Sequence, residues 1–182
     1  MIYTMKMQLL VNQEQHDQLD ETMKRFNEIC NYISIIAFQT KTTKNKIKLH
    51  KECYYNVREI YKVPAQMVVR AIGKVVEGYK GVEGNKGAQE AITFGPNESV
   101  VYDTRLLAIK WIERVSITTL NGREEIPFLV NRYRKGSYDK RVPGQADLIV
   151  ENNQFYLLLI VSFPDIPDIS SLDSLDVEVL LK

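Results

Sequence analysis

The sequence predicts an α+β protein, an antiparallel β-barrel with three helices inserted after its first strand. Three observations lead there. An alternating run opens the chain, apolar residues then recur at helical spacing to about residue 79, and from Ala88 onward the period becomes that of short strands. Many short strands with tight turns suit a small barrel or sandwich. A first strand cut off from the others by a helical block makes an interrupted barrel the economical arrangement.

Residues 2–11, IYTMKMQLLV, read as a strand with Tyr3, Met5 and Met7 on one face. Asn12 followed three residues later by Gln15 has the form of a capping box, and Leu19, Met23, Phe26, Ile29, Cys30, Ile33 and Ala37 form an apolar stripe behind it. The spacing predicts a helix from about Gln13 to Phe38. Residues 41–48 read as a polar, basic connector. A second helix is expected from Leu49 to Tyr61, with Leu49, Cys53, Val57, Ile60 and Tyr61 as its stripe. Pro64 suits the first turn of a third, where its missing N–H costs nothing. That helix is expected to reach about Tyr79 through Met67, Val68, Ala71, Ile72, Val75 and Val76, with glycines 81, 84 and 87 ending it.

Expected strands then follow at 91–94, 99–102, 105–110, 114–119, 123–130, 146–151 and 154–162. Leu120-Asn121-Gly122-Arg123 marks a hairpin turn, and Glu151-Asn152-Asn153-Gln154 a second. Trp111 reads as barrel core or rim.

With 182 residues, 45% hydrophobic and 26% charged, the chain is long enough for one good core or two small, closely packed units. No apolar run approaches the roughly 20 residues of a membrane helix, so no membrane partner is expected. The start carries no cleavable signal pattern. Two cysteines, Cys30 and Cys53, suit a reducing cytoplasm, the expected location. Net charge is only +1, but five acids and one base lie from Asp165 onward, leaving 23 basic and 18 acidic residues before it. A mildly basic body permits phosphate binding through local clusters.

Several stretches, in order and at matching spacing over nearly the whole chain, resemble the N-terminal half of the transposon-encoded OrfB/TnpB family, relatives of type V CRISPR effectors. They are Phe26-Asn-Glu-Ile-Cys-Asn-Tyr-Ile-Ser34, Tyr54-Tyr-Asn-Val-Arg-Glu59, Ala65-Gln-Met-Val-Val-Arg-Ala-Ile-Gly-Lys74, Val115-Ser-Ile-Thr-Thr-Leu-Asn-Gly-Arg123, Gly144-Gln-Ala-Asp-Leu148 and Phe155-Tyr-Leu-Leu158. The resemblance implies a wedge-type barrel interrupted by a helical recognition domain. Its divisions would be residues 1–11 as the first barrel strand, 12–87 as the recognition insertion, 88–164 as the rest of the barrel, and 165–182 as an acidic linker with a vestigial nuclease start. It also implies two partners, a guide RNA from the transposon end and double-stranded DNA beside a short motif.

Complete members of that family continue into a RuvC-like nuclease opening with a Leu-Gly-Val-Asp-Leu-Gly strand. Here the segment reads Leu175-Asp-Val-Glu-Val-Leu180, with both glycines missing and Glu178 in the slot of the first catalytic aspartate. Two-metal cleavage needs several carboxylates around ions roughly 4 Å apart. Asp176 and Glu178 alone do not build that site, so no catalysis and no cofactor are expected. Loss of the nuclease would uncover the apolar strand Phe155–Val161 and invite self-association.

The sharpest basic cluster is Arg132-Tyr133-Arg134-Lys135-Gly-Ser-Tyr138-Asp-Lys140-Arg141. Its bases suit phosphates and its tyrosines suit unpaired bases; the plain alternative is a solvated hairpin loop. A second cluster holds Lys41, Lys44, Lys46, Lys48 and Lys51 with His50 among them. With the resemblance, Lys44, Lys46, Lys48, His50, Gln66 and Arg70, near the starts of helices two and three, become candidates for reading DNA. Gln66 suits an adenine edge and Arg70 a guanine or a phosphate. His50 and Cys53, three apart on a helix, would make half of a zinc site, with Cys30 a third ligand only by chance of folding, but packing or solvent exposure explains each as well. The expected function is nucleic-acid binding without cleavage. The alternatives are a decayed transposase remnant and one subunit of a split RNA-guided nuclease completed by a second polypeptide.

Overall fold

The computed structural model describes residues 2–83, 89–110, 114–129 and 145–162. Trp111, the basic cluster from Arg132 to Arg141, and Asp176 and Glu178 lie outside these residues. In order come β1 (Ile2–Leu9), α1 (Gln13–Gln39), α2 (Lys46–Tyr61), α3 (Ala65–Glu83), β2 (Val100–Asp103), β3 (Leu107–Lys110), β4 (Arg114–Thr119), β5 (Gly122–Leu129), β6 (Gln145–Glu151) and β7 (Gln154–Ser162). The protein is α+β. Its three described helices accompany a seven-stranded antiparallel sheet in the order β2-β6-β7-β1-β5-β4-β3.

That sheet curls until its two edge strands nearly meet. The chain passes from one edge to the other through the turn at residues 104–106. Across the remaining gap the Tyr102 hydroxyl donates to the Thr118 carbonyl at 2.8 Å. The Thr118 N–H donates to the Leu106 carbonyl at 2.8 Å. Inward residues fill the barrel, including Met7 and Leu9 of β1, Ile117 of β4, Leu148 of β6, and Phe155 and Leu157 of β7, all fully buried. They are continuous with the buried faces of the helices in one core. Burying each large apolar side chain contributes roughly 1.5–3 kcal/mol.

The α1 cap forms as its residues dictate. Asn12 accepts from the Gln15 N–H at 2.8 Å, and the Gln15 side chain accepts from the Asn12 N–H at 3.2 Å. Every residue of the predicted α1 stripe is buried, as are the six apolar residues named for α3.

Several boundaries differ from expectation, each for a local reason. Helix α2 begins at Lys46, three residues before Leu49, because the Asn45 side chain caps it by accepting from the Lys48 N–H at 2.9 Å. Ile60 is 56% exposed and leaves the apolar stripe to buried Leu49, Cys53 and Val57, with Tyr61 half-buried against the core. Pro64 lies just ahead of α3, its carbonyl accepting from the Met67 and Val68 N–H groups. Helix α3 runs on to Glu83, tolerating Gly81 on its exposed side. The first hairpin turn is Leu120-Asn121 between paired Thr119 and Gly122, one residue earlier than predicted, with Gly122 at φ +125°. The second turn is as expected, Asn152 (φ 49°) and Asn153 (φ 61°) supplying the two left-handed residues of a tight hairpin.

The strand expected at 91–94 is absent. Its backbone is satisfied by side chains of the helices instead of by a ladder. Asn31 accepts from the Phe94 N–H at 2.7 Å and donates to the Phe94 carbonyl at 3.0 Å. Ser34 donates to the Ile92 carbonyl at 2.6 Å. Asn27, 1% exposed, donates to the Glu98 carbonyl at 2.8 Å. Residues 27, 31 and 34 share one face of α1, so the segment from Ile92 to Glu98 is laced along that helix before entering β2.

Asn31→Ala removes both partners of Phe94, and at about 1 kcal/mol per bond it should cost about 2 kcal/mol in urea unfolding. A loss below about 0.5 kcal/mol would mean the lacing does not hold the segment.

Candidate functional site

The corner where α2 gives way to α3 faces the β4–β5 hairpin, and a cleft of ≈ 510 Å³ lies between them. Arg58 and Lys62 line it from the helical side, Arg123 from the hairpin, with Pro64, Thr118 and Thr119 along its walls. No carboxylate lines it among the described residues. Its two arginines are held by neutral acceptors. Arg58 donates to the Val63 carbonyl at 2.7 Å. Arg123 donates to the Ser116 hydroxyl at 3.2 Å and to the Arg105 carbonyl. None of the three side chains forms an ion pair with a carboxylate among the described residues.

Lys62 is placed there by an unfavourable backbone. It caps α2 in the left-handed conformation, φ 55° and ψ 31°, where glycine is usual. For a residue with a Cβ that geometry costs about 1 kcal/mol. Val63 is buried directly after it, which pins the bend and leaves the lysine exposed at the rim.

Beside the cleft, Asp103 organises the approach of α3 to the barrel. The residue is 5% exposed. Its Oδ2 accepts from Arg70 Nε at 2.9 Å, from Arg70 Nη2 at 2.6 Å, and from the Gln66 amide. Its Oδ1 accepts from the backbone N–H groups of Arg105 at 3.0 Å and Leu106 at 3.2 Å. Burial by itself would raise the Asp103 pKa. The hydrogen bonds from Arg70, Gln66 and the Arg105 backbone outweigh that and hold the carboxyl below its ordinary value. Arg105 in turn donates to Gln66 Oε1 at 3.2 Å, adding an exposed guanidinium beside Arg123.

The residues singled out from sequence fall in three groups. Gln66 and Arg70 are brought together, both engaged with Asp103 inside the protein. Lys44, Lys46, Lys48 and His50 sit on or beside the first turn of α2. His50 stacks on Tyr54 with ring centroids 4.4 Å apart, and Tyr55 on the next turn is 78% exposed. The third group, Arg132, Tyr133, Arg134, Lys135, Tyr138, Lys140 and Arg141, lies outside the described residues. Sequence reasoning missed Arg58, Lys62, Arg105 and Arg123. Two signals pointed to them: the Lys62-Val63-Pro64 break between two helices, and an arginine placed directly after a hairpin turn.

The zinc reading gains no support. The Cys53 thiol is buried and donates to the Leu49 carbonyl at 3.1 Å, and burial pushes its pKa up to about 12. Burial likewise pushes Cys30 up to about 12. No group of three metal-ligating side chains occurs among the described residues, and none of the described helices is long and apolar enough to cross a membrane. In the strand expected to be uncovered, Phe155, Leu157 and Leu159 face the core, Leu158 is half-buried, and Ile160 is 55% exposed. Compared with models of known protein families and with curated proteins, the sequence finds no match.

Asp103→Ala leaves the Arg70 charge and two backbone N–H groups without their acceptor, and should cost about 3–5 kcal/mol in urea unfolding near neutral pH. A lowered carboxyl pKa stabilises the fold above the unfolded value of about 3.9, and that contribution is lost as pH falls through the folded value. The gap between wild type and Asp103→Ala should therefore narrow below pH 4. A gap that stays constant into strong acid would contradict the assignment.

Proposed function

We propose that this chain is a nucleic-acid-binding module, corresponding to the barrel and helical recognition parts of OrfB/TnpB proteins, that binds a phosphate backbone without cutting it. The observation that carries this reading is a cleft lined by no carboxylate among the described residues, where Arg58, Lys62 and Arg123 converge with Arg105 nearby. A phosphodiester needs cations that are not already neutralised, and arginine adds donors in a planar fork that fits its oxygens. Thr118 and Thr119 line the same walls. The exposed α2 surface carrying Lys51 and Tyr55, with half-buried Tyr54 beside them, extends the interface with rings suited to unpaired bases.

In this reading Gln66 and Arg70 act first as struts. Their bonds to Asp103 fix the start of α3 and present Arg105, and a base edge would meet Gln66 only by competing for its amide. Within the described residues, phosphate contact falls chiefly to Arg58, Lys62, Arg105 and Arg123. The wedge-type barrel, the guide RNA and the motif-bearing DNA belong to the same proposal, supported by the residue resemblance and by the order of strand, helices and strands.

The test is fluorescence anisotropy with a labelled RNA hairpin, a DNA duplex and a single strand over a range of salt. Each phosphate contact contributes roughly 0.9 to the slope of log affinity against log salt on duplex DNA. Arg58→Ala/Lys62→Ala/Arg123→Ala should weaken binding at least about tenfold and flatten the slope by about 2–3. Lys62→Gly should separate stability from function, raising stability by about 1 kcal/mol while lowering affinity. No binding by wild type at low salt, or equal affinity in the triple variant, would overturn the proposal.

A further inference from the structure

A second cleft, of ≈ 470 Å³, lies between α3 and the barrel edge formed by β2 and β6. That volume is within the range of small-ligand pockets. Most charge around it is already committed. Arg70 is held by Asp103. The Lys74 ammonium donates to Asn27 Oδ1 at 2.9 Å and to the Ser99 carbonyl at 2.7 Å, and pairs with Glu98 at 3.5 Å. Glu77 pairs with Lys80 at 2.8 Å.

Among the described residues that line it, one cation and one carboxyl remain. Lys46 reaches from the start of α2 across to α3, where its Nζ lies 3.4 Å from the place a Cβ on Gly73 would occupy. The missing side chain of Gly73 thus leaves the gap that the ammonium enters. Asp147 lies on the outward side of β6, opposite Val101 on one neighbouring strand and Leu158 on the other. Its Oδ1 is enclosed and has no hydrogen-bond partner. Burial raises its pKa, opposed by a hydrogen bond from the Gln145 side chain and by the Lys74 charge. Neither Lys46 nor Asp147 forms an ion pair among the described residues, although both line the same cleft.

This arrangement asks for a ligand with an anion at one end, an N–H donor at the other, and a flat apolar body between. The walls for such a body are Phe94 and Val101. Inorganic phosphate meets only the first demand. A nucleotide meets all three, and an exocyclic amine of cytosine, adenine or guanine would supply the N–H donor for Asp147. We propose that this cleft takes a single unpaired nucleotide, its phosphate against Lys46 and its base amine donating to Asp147. The proposal deepens the nucleic-acid reading but uses residues separate from the first cleft.

Calorimetric titration with 5′-CMP, 5′-UMP and inorganic phosphate tests it. CMP should bind measurably, UMP at least about threefold more weakly, and phosphate more weakly still. Asp147→Ala should abolish the preference for CMP over UMP, and Asp147→Asn should reduce it while keeping the size of the side chain. Lys46→Ala should weaken both nucleotides alike. A short cytidine oligonucleotide separates the two sources of the ligand. Affinity lowered by both variants places an unpaired residue of a strand in the cleft; unchanged strand affinity, with CMP binding still sensitive, assigns it to free nucleotide. Failure of CMP to bind, or an unaltered CMP-to-UMP ratio in Asp147→Ala, would overturn the proposal. Should strand binding nonetheless depend on Arg58, Lys62 and Arg123, the first reading would survive that failure.

Discussion

Asp103 sits almost out of reach of water where β2 turns toward β3, and its two oxygens face different parts of the molecule. Oδ1 takes the backbone N–H groups of Arg105 and Leu106, fixing the turn that joins the two edges of the sheet. Oδ2 takes Gln66 and Arg70, fixing the start of α3 against that turn. A carboxylate buried without such partners would be strongly unfavourable. The same requirement that keeps it satisfied thus makes the near-closure of the barrel and the docking of α3 a single structural event. The basic cleft inherits its shape from this contact, since the Lys62-Val63-Pro64 bend directly precedes the clamped helix and Arg105 leaves the clamped turn.

The distribution of charge around the two units follows a consistent division. Cations that join the helices to the barrel are paired or enclosed: Arg70 on Asp103, and Lys74 among Asn27, Ser99 and Glu98. The arginines that line the first cleft are held by carbonyls and a hydroxyl, which orient a guanidinium without neutralising it. A net charge of +1 conceals this division, because composition counts a paired lysine and an uncompensated one alike.

Much of the fold was legible in the sequence wherever periodicity and capping chemistry were both present. The α1 stripe, the Asn12–Gln15 box, the α3 face and the Asn152-Asn153 turn each follow from local rules. The segment at 91–94 was not legible, because short apolar runs look like strands whether their backbone bonds go to a ladder or to side chains. Only the spacing of Asn27, Asn31 and Ser34 on one face of α1 hinted at the second arrangement. The early start of α2 was hidden by its lysines, which resemble a connector until Asn45 is recognised as a cap. The candidate site was least legible of all. Arg58 and Lys62 lie one helical turn apart, but Arg123 is far from both in sequence and shares no motif with them, and only the folding of the hairpin against the helical corner brings the three together. Gln66 and Arg70 were found from sequence, but the proximity of Asp103, which defines what they do, is a tertiary fact.

The most direct test of this account is a double-mutant cycle between Arg70 and Asp103, using Arg70→Met, Asp103→Asn and the pair, with stability measured by urea unfolding. If the clamp joins helix to barrel, the two residues should show a coupling energy above about 1 kcal/mol, as residues in one hydrogen-bonded network do. Additive losses, with coupling near zero, would contradict the claim that this carboxylate holds the two parts together.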